Sequence, residues 1–291
     1  MQLPALSRVA LRALWCGVAA LVAAVTVPSR LEAFPPAPFY TIYGMVRDQV
    51  GATLAVDGAE LVLLRDGAEI GRAPVFTSLR SDSNYELQIK LDRNPAETRA
   101  YSPHAVSAQG LFSIKVVLNG QNFFPIEASG VLRAGNGGER VRLDLNLGAD
   151  ANNDGLPDAW QEWQLYQAGR RIGTPGWDIN LISKDGDFDG DGTSNYLEYL
   201  AGTFAGDAAE RFDLRMLAKT PTAVSFEFYA ITGKVYSIEQ STDLKTWATV
   251  PMTTGLGDAT ATYYRATAVG ILPAYVAASP GAARFYRLTV R

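Results

Sequence analysis

Between Asp187 and Glu198, oxygen-bearing side chains alternate with spacers. Asp187, Asp189 and Asp191 stand at positions 1, 3 and 5 of a twelve-residue stretch, Asn195 at 9 and Glu198 at 12, with Gly192 at 6. Few short segments restrict a backbone so tightly. Carboxylates at alternate positions repel one another unless a cation sits among them, and a glycine at position 6 permits the sharp turn that brings both halves of the loop inward. A hard cation such as calcium takes about six to eight oxygens at roughly 2.3–2.6 Å. The stretch offers such a set when the backbone carbonyl of Thr193 fills position 7.

A near-copy precedes it. Asp150, Asn152, Asp154 and Asp158 occupy positions 1, 3, 5 and 9, Gly155 position 6, and Leu156 offers its backbone carbonyl at 7. Position 12 is Gln161, followed by Glu162. A neutral amide lacks the bidentate charged contact of a glutamate, so this loop is expected to be the weaker site, and the sequence leaves open whether Gln161 or Glu162 completes it. The expectation is two calcium ions, the second loop binding more tightly.

Each loop runs into a helix. Pro157 suits a first helical turn, where a missing N–H costs nothing. Residues 158–172 have helical composition, with Trp160, Trp163, Leu165, Tyr166 and Ala168 as inward positions and Gly173-Thr-Pro175-Gly176 as the stop. The second helix is expected over 195–201, ended by Gly202. Asn195 and Glu198 also read as a capping box, a role that competes with metal ligation at Glu198. Trp160, Trp163, Tyr196 and Tyr199 read as a small core between the two helices.

Charge agrees with this centre. From Asp150 to Glu198 ten acidic residues face Arg170, Arg171 and Lys184, whereas the chain as a whole has 30 acidic and 26 basic residues. No basic patch points to nucleic acid or anionic lipid. At the start, Arg8 and Arg12 precede an apolar run from Ala13 to Val27, and Ala33 offers a small residue for cleavage. That is the layout of a secretory signal peptide over 1–33, with an apolar run short for a membrane span of about 20 residues. The chain's only cysteine, Cys16, lies inside the run, so lipid attachment is not expected, and cleavage leaves no thiol or disulfide. Bound metal can take the stabilising role that disulfides have in exported proteins. The expected location is outside the cytoplasm: the medium, the cell surface or the periplasm, with no membrane anchor after cleavage.

Residues 34–148 show short β-branched and aromatic runs broken by turns. Strands are expected at 40–47, 60–65, 69–74, 85–91, 112–118, 122–128 and 140–147, with hairpin turns at Asp66-Gly67 and Asn119-Gly120. About seven such strands argue for a β-sandwich. The stretch Gly44-Met-Val46-Arg-Asp48-Gln-Val-Gly51-Ala-Thr-Leu54, followed by Ala59-Glu-Leu61-Val-Leu63, resembles the opening of carboxypeptidase regulatory-like β-sandwich domains. That resemblance implies an accessory role and no catalytic residues.

Loop-then-helix units without a preceding helix make 149–204 resemble dockerin and thrombospondin type 3 repeats, which are EF-hand-like in ligand spacing. The resemblance implies ligands at Asp150, Asn152, Asp154, Asp158, Asp187, Asp189, Asp191, Asn195 and Glu198, and a stiff calcium-bound linker. Ala159-Trp160 and Tyr196-Leu197 stand where dockerins carry polar pairs at positions 10 and 11, which argues against cohesin docking.

In residues 211–291 strands are expected at 212–218, 224–230, 235–240, 247–252, 261–266 and 283–290. Val224-Ser-Phe226-Glu-Phe228 alternates apolar and polar residues, as a half-buried strand does. The segment Tyr236-Ser-Ile238-Glu-Gln240-Ser-Thr-Asp243-Leu-Lys-Thr-Trp247 and the closing Phe285-Tyr286-Arg287 resemble a small fibronectin type III-like sandwich. Trp247 reads as a turn pinned to the core rather than as a sugar platform.

The fold expectation is a mainly β chain: two β-sandwich domains joined by a two-helix calcium-loop module, after a signal peptide. His104, the only histidine, falls in a loop with no cysteine, histidine or carboxylate cluster around it, so no nucleophile–base device is expected and the chain reads as no enzyme. The function expected is a calcium-ordered joint in an exported modular protein. The alternative is a carbohydrate-binding or adhesive surface protein with a glycan or surface-protein partner. A third reading is an accessory part of a polysaccharide-degrading system. Oligomeric state is not legible.

Overall fold

The computed structural model describes residues 37–77, 82–92, 103–255, 258–279, 281 and 283–291. The signal peptide expected over 1–33 falls outside the described residues. The described chain is mainly β, with several sheets and two α-helices. None of its helices is long and apolar enough to cross a membrane.

Two sheets built from residues 40–142 share one apolar core. In the first, Tyr40–Gly44 lies between Tyr85–Ile89, antiparallel to it, and Arg140–Arg142, parallel to it. In the second, Glu60–Arg65 lies between Ala68–Pro74 and Leu111–Leu118, and the latter also pairs Gln121–Phe123 and Leu132–Arg133. Alternation explains the core: Tyr40, Ile42, Tyr85, Leu87 and Ile89 from the first sheet meet Leu61, Leu63, Phe112, Ile114 and Val116 from the second. The hairpin turns take the form their sequences require. Asp66 and Gly67 have φ of 51° and 78°, Asn119 and Gly120 of 50° and 76°, the left-handed pair of a tight primed turn. Buried Asn84 ties the sheets to the chain entering at 46: its Oδ1 accepts from Val46 N–H at 2.7 Å, and its Nδ2 donates to the carbonyls of Val46 and Leu54.

Several expected strands are shorter than their sequence runs. The run 40–47 breaks at Met45, 122–128 ends in a 3-10 turn at Ile126–Ala128, and 140–147 divides into Arg140–Arg142 and Leu145–Asn146. His104 lies on an exposed turn.

Residues 215–290 form two further four-stranded sheets around a second core that includes Phe226, Phe228, Tyr236, Ile238, Ala274 and Val276. One runs Arg215–Lys219, Ala223–Ala230, Gly270–Ala277, Met252–Thr253; the other centres on Val235–Ser241, paired with Phe285–Val290, Ala248–Val250 and Tyr264–Arg265. Strand Gly270–Ala277 was not expected, and it contains Pro273. Its partner on the far side reaches only Tyr275 and Val276, so the missing N–H of Pro273 falls on an open edge and costs no ladder bond. Trp247 is half-buried with the guanidinium of Arg287 4.3 Å over its ring, and Arg287 is held in turn by Glu239 at 2.8 Å.

Between these cores lies a third, small cluster of Leu156, Trp160, Leu165, Ile182, Tyr199 and Ala205. Trp160 and Tyr199 meet edge to face, centroids 5.5 Å apart, and so hold helix Asp158–Gln167 against helix Asn195–Ala201. The first helix stops five residues short of the expected end, because Gly169 adopts a left-handed φ of 82°. Its inward face also differs from expectation. Trp163 and Tyr166 are 41% and 53% exposed and Ala168 is exposed, while Gln161 and Gln164 are buried. Gln164 Oε1 accepts from Ala205 N–H at 3.0 Å, a partner far along the chain.

Tyr199 also joins this cluster to both flanks. Its hydroxyl donates towards the carbonyl of Asp48 and Oδ1 of Asn146, each at 3.2 Å, and Asn146 is itself anchored by Glu127. From the other side Lys234 Nζ donates to Gly51 O at 2.8 Å and lies 3.4 Å from Tyr199 O. Gly51 is required here: a Cβ on it would come within 2.7 Å of the Tyr199 carbonyl, and its φ is 82°. Tyr199→Phe removes the shared hydroxyl and leaves the ring, so the expected loss is about 1–2 kcal/mol in urea unfolding. A loss near zero would mean that the hydroxyl does not hold the junction.

Candidate metal centre

The second acidic loop folds by pairing each of its three aspartates with a backbone amide. Asp187 Oδ1 accepts from Gly190 N–H at 2.8 Å and Oδ2 from Gly192 N–H at 2.9 Å. Asp189 Oδ1 accepts from Asp191 N–H at 3.1 Å, and Asp191 Oδ1 from Thr193 N–H at 2.6 Å. These local bonds wind the loop around its own carboxylates, and Gly192, with φ of 95°, supplies the turn. As a result Asp187, Asp189 and Asp191 each bring an oxygen within 4.8 Å of the others; no other group of three or more His, Cys, Asp or Glu side chains does so among the described residues.

Glu198 adds the decisive feature. It is 0% exposed, and neither of its carboxyl oxygens has a hydrogen-bond partner. Oδ2 of Asp189 and Oδ2 of Asp191 are likewise buried without a hydrogen bond. Burial, then the charges of Asp189, Asp191, Asp187 and Glu210, push the Glu198 carboxyl up to about 8. Burial also raises the Asp189 carboxyl from its ordinary value. Three acids with buried, unpartnered oxygens beside a fourth form a poor site for anything but a cation, since an unpaired buried charge costs several kcal/mol. The oxygen-only donor set fits a hard divalent ion, calcium before magnesium, because the backbone-wound loop is not a rigid octahedron. From outside, Arg211 closes over the loop: its Nη2 donates to Asp191 O at 3.1 Å, and its Nε lies 3.9 Å from Asp191 Oδ2.

The other expected ligands divide. Asn195 is buried, but its side chain is spent within the loop: Oδ1 accepts from Phe188 N–H at 3.1 Å, and Nδ2 donates to Ser183 O at 2.7 Å. The cap of helix Asn195–Ala201 is Ser194, whose Oγ accepts from Leu197 N–H at 3.4 Å, so the capping box expected at Asn195 and Glu198 does not form and Glu198 is free of that role. Thr193 and Leu156, expected to act through their carbonyls, are both buried at position 7 of their loops.

In the first loop, Asp150 accepts from Asp154 and Gly155 N–H at 3.1 and 3.0 Å, and Asp158 accepts from Ala151 N–H through both oxygens. Asn152 Nδ2 lies 3.3 Å from both Asp154 Oδ2 and Asn180 Oδ1. Position 12 is Gln161, buried and turned into the loop; Glu162, the other candidate, is exposed.

A cleft elsewhere bears on glycan binding. Tyr43, Phe76, Tyr85 and Tyr263 line it with Asp82, Glu86 and Arg140. Guanidinium groups already lie over two of these rings, Arg140 over Tyr43 at 3.5 Å and Arg291 over Tyr263 at 4.9 Å. Neither ring is an open stacking platform on that face. Sequence reasoning missed the buried cations Arg47 and Lys234, for which hydropathy gives no signal.

No protein-family model matches the chain, and no curated protein and no solved structure matches it.

Proposed function

We propose that this chain is an exported, non-catalytic, calcium-binding modular protein, in which an ion held by Asp187, Asp189, Asp191 and Glu198 orders the joint between two β-sandwich domains, 34–148 and 211–291. One observation carries the metal: Glu198 is wholly buried with both oxygens unpartnered beside three converging aspartates. A second supports the joint. The residue after Glu198 is Tyr199, which contacts Asp48 and Asn146 on one side and Lys234 on the other. An ion that fixes the start of this helix therefore fixes the residue on which both flanks meet, and its binding energy becomes folding energy of the joint. Export rests on the charged, apolar and small-residue layout of residues 1–33.

Isothermal titration of the chelator-treated protein tests the reading. Calcium is expected to bind with measurable heat and magnesium at least tenfold more weakly. Absence of heat with calcium, together with an unchanged melting temperature, would sink it.

A further inference from the structure

The two acidic loops share one backbone plan and differ at one decisive place. In both, the position 1 aspartate accepts the N–H of the position 6 glycine, Asp150 from Gly155 and Asp187 from Gly192. In both, Oδ1 at position 5 accepts the N–H of position 7, Asp154 from Leu156 and Asp191 from Thr193. In both, the side chain at position 9 accepts the N–H of position 2, Asp158 from Ala151 and Asn195 from Phe188. The other oxygen of position 5 then tells them apart. Asp191 Oδ2 is buried with no hydrogen-bond partner, whereas Asp154 Oδ2 accepts from Gln161 Nε2 at 2.8 Å.

Gln161 cannot easily turn its amide over. Nε2 also donates to Ile182 O at 2.9 Å, and the side chain is 0% exposed. Flipping would strip that carbonyl of its donor and set Oε1 against Asp154 Oδ2, oxygen on oxygen. Lys184 adds positive charge to the same loop: a Cβ built on Gly155 would lie 3.0 Å from Lys184 Nζ, which also sits 4.4 Å from the centre of the Tyr196 ring. An amide N–H thus occupies the oxygen of Asp154 in the first loop, with an ammonium nearby, whereas the matching oxygen of Asp191 has no hydrogen bond and only a guanidinium nitrogen 3.9 Å away.

We infer that Gln161 closes the first loop with its own amide N–H, so that the chain binds one calcium ion rather than two, and that a carboxylate at this single position converts the closed loop into a second site. The inference rests on the calcium reading of the second loop. It makes the first helix independent of metal and leaves calcium control to helix Asn195–Ala201 alone.

Calorimetric stoichiometry tests it on the full chain with calcium chloride as the probe. The native protein is expected to bind one ion, Gln161→Glu two, and Asp187→Ala none. Two ions on the native chain, or one ion retained by Asp187→Ala, overturns the inference while the calcium reading stands. One ion on a folded Gln161→Glu overturns the conversion. No binding to the native chain removes the calcium reading itself, and this inference with it. Asp187→Ala still decides whether the first loop binds if Gln161→Glu fails to fold, because it leaves that loop untouched.

Discussion

Chelation is expected to lower the melting temperature of the native protein by about 5–11 °C relative to free calcium at one hundred times its dissociation constant. Ligand at that excess stabilises the state it binds by about 2.7 kcal/mol, and a chain of this size shifts about 2–4 °C for each kcal/mol. The informative variant is Glu198→Gln. The amide keeps the shape of a side chain that is 0% exposed and removes a carboxyl that feels the charges of Asp189, Asp191 and Asp187. In chelator it should melt within about 2 °C of the native protein, because the change relieves repulsion and creates no cavity. In calcium the native protein rises and the variant does not. A variant that gains as much from calcium as the native chain would show that Glu198 is no ligand. One that melts far lower in chelator would show that its carboxylate has a structural role apart from metal.

The second large effect is a pH dependence at the joint. Lys234 is 6% exposed, and its ammonium is pulled down to about 7, chiefly by burial and further by the charge of Arg47, with Asp48 opposing. In the unfolded chain the same group titrates near 10.5. Between these values the unfolded state holds a proton that the folded state has released, so stability rises with pH across that window. Below about pH 7 both states are charged and the cost of burying the ammonium is fully present; above about 10.5 both are neutral and it is gone. The whole window is worth on the order of 4–5 kcal/mol at about 1.4 kcal/mol per unit. Comparison with Lys234→Met cancels the other titrating groups. The stability of the native protein minus that of the variant is expected to rise by about 3 kcal/mol from pH 7 to 9.5 in urea unfolding. A flat difference would mean that Lys234 keeps its proton inside the fold.

The convergence of Asp187, Asp189 and Asp191 was legible because the geometry behind it is local. Asp187, Asp189, Asp191 and Glu198 are fixed by spacing around one glycine, and helix Asn195–Ala201 ends at Gly202 with φ of 83°, where the sequence places it. The hairpins at Asp66-Gly67 and Asn119-Gly120 were legible for the same reason. What the sequence hid depends on partners far along the chain. Gln161 and Gln164 are buried because Asp154, the Ile182 carbonyl and the Ala205 amide receive them, while the more apolar Trp163 and Tyr166 stay outside. Strand Gly270–Ala277 was not read from the sequence; its Pro273 is tolerable because the far neighbour pairs only Tyr275 and Val276. The closure of the first loop depends on the direction of one amide, and a sequence shows only the residue type.

The parallel pairing of Tyr40–Gly44 with Arg140–Arg142 has a kinetic consequence. Thr41 pairs with Arg140, so the first strand of its sheet stays without one neighbour until about a hundred more residues have left the ribosome. The hairpin Glu60–Pro74, by contrast, can form early from local contacts. Closing that long span costs chain entropy before any contact rewards it, which places this sheet among slow folders. During synthesis the edge of Tyr40–Gly44 is exposed for seconds at roughly 5–20 residues per second, and a nascent chain in that interval has an open strand for wrong partners to pair with.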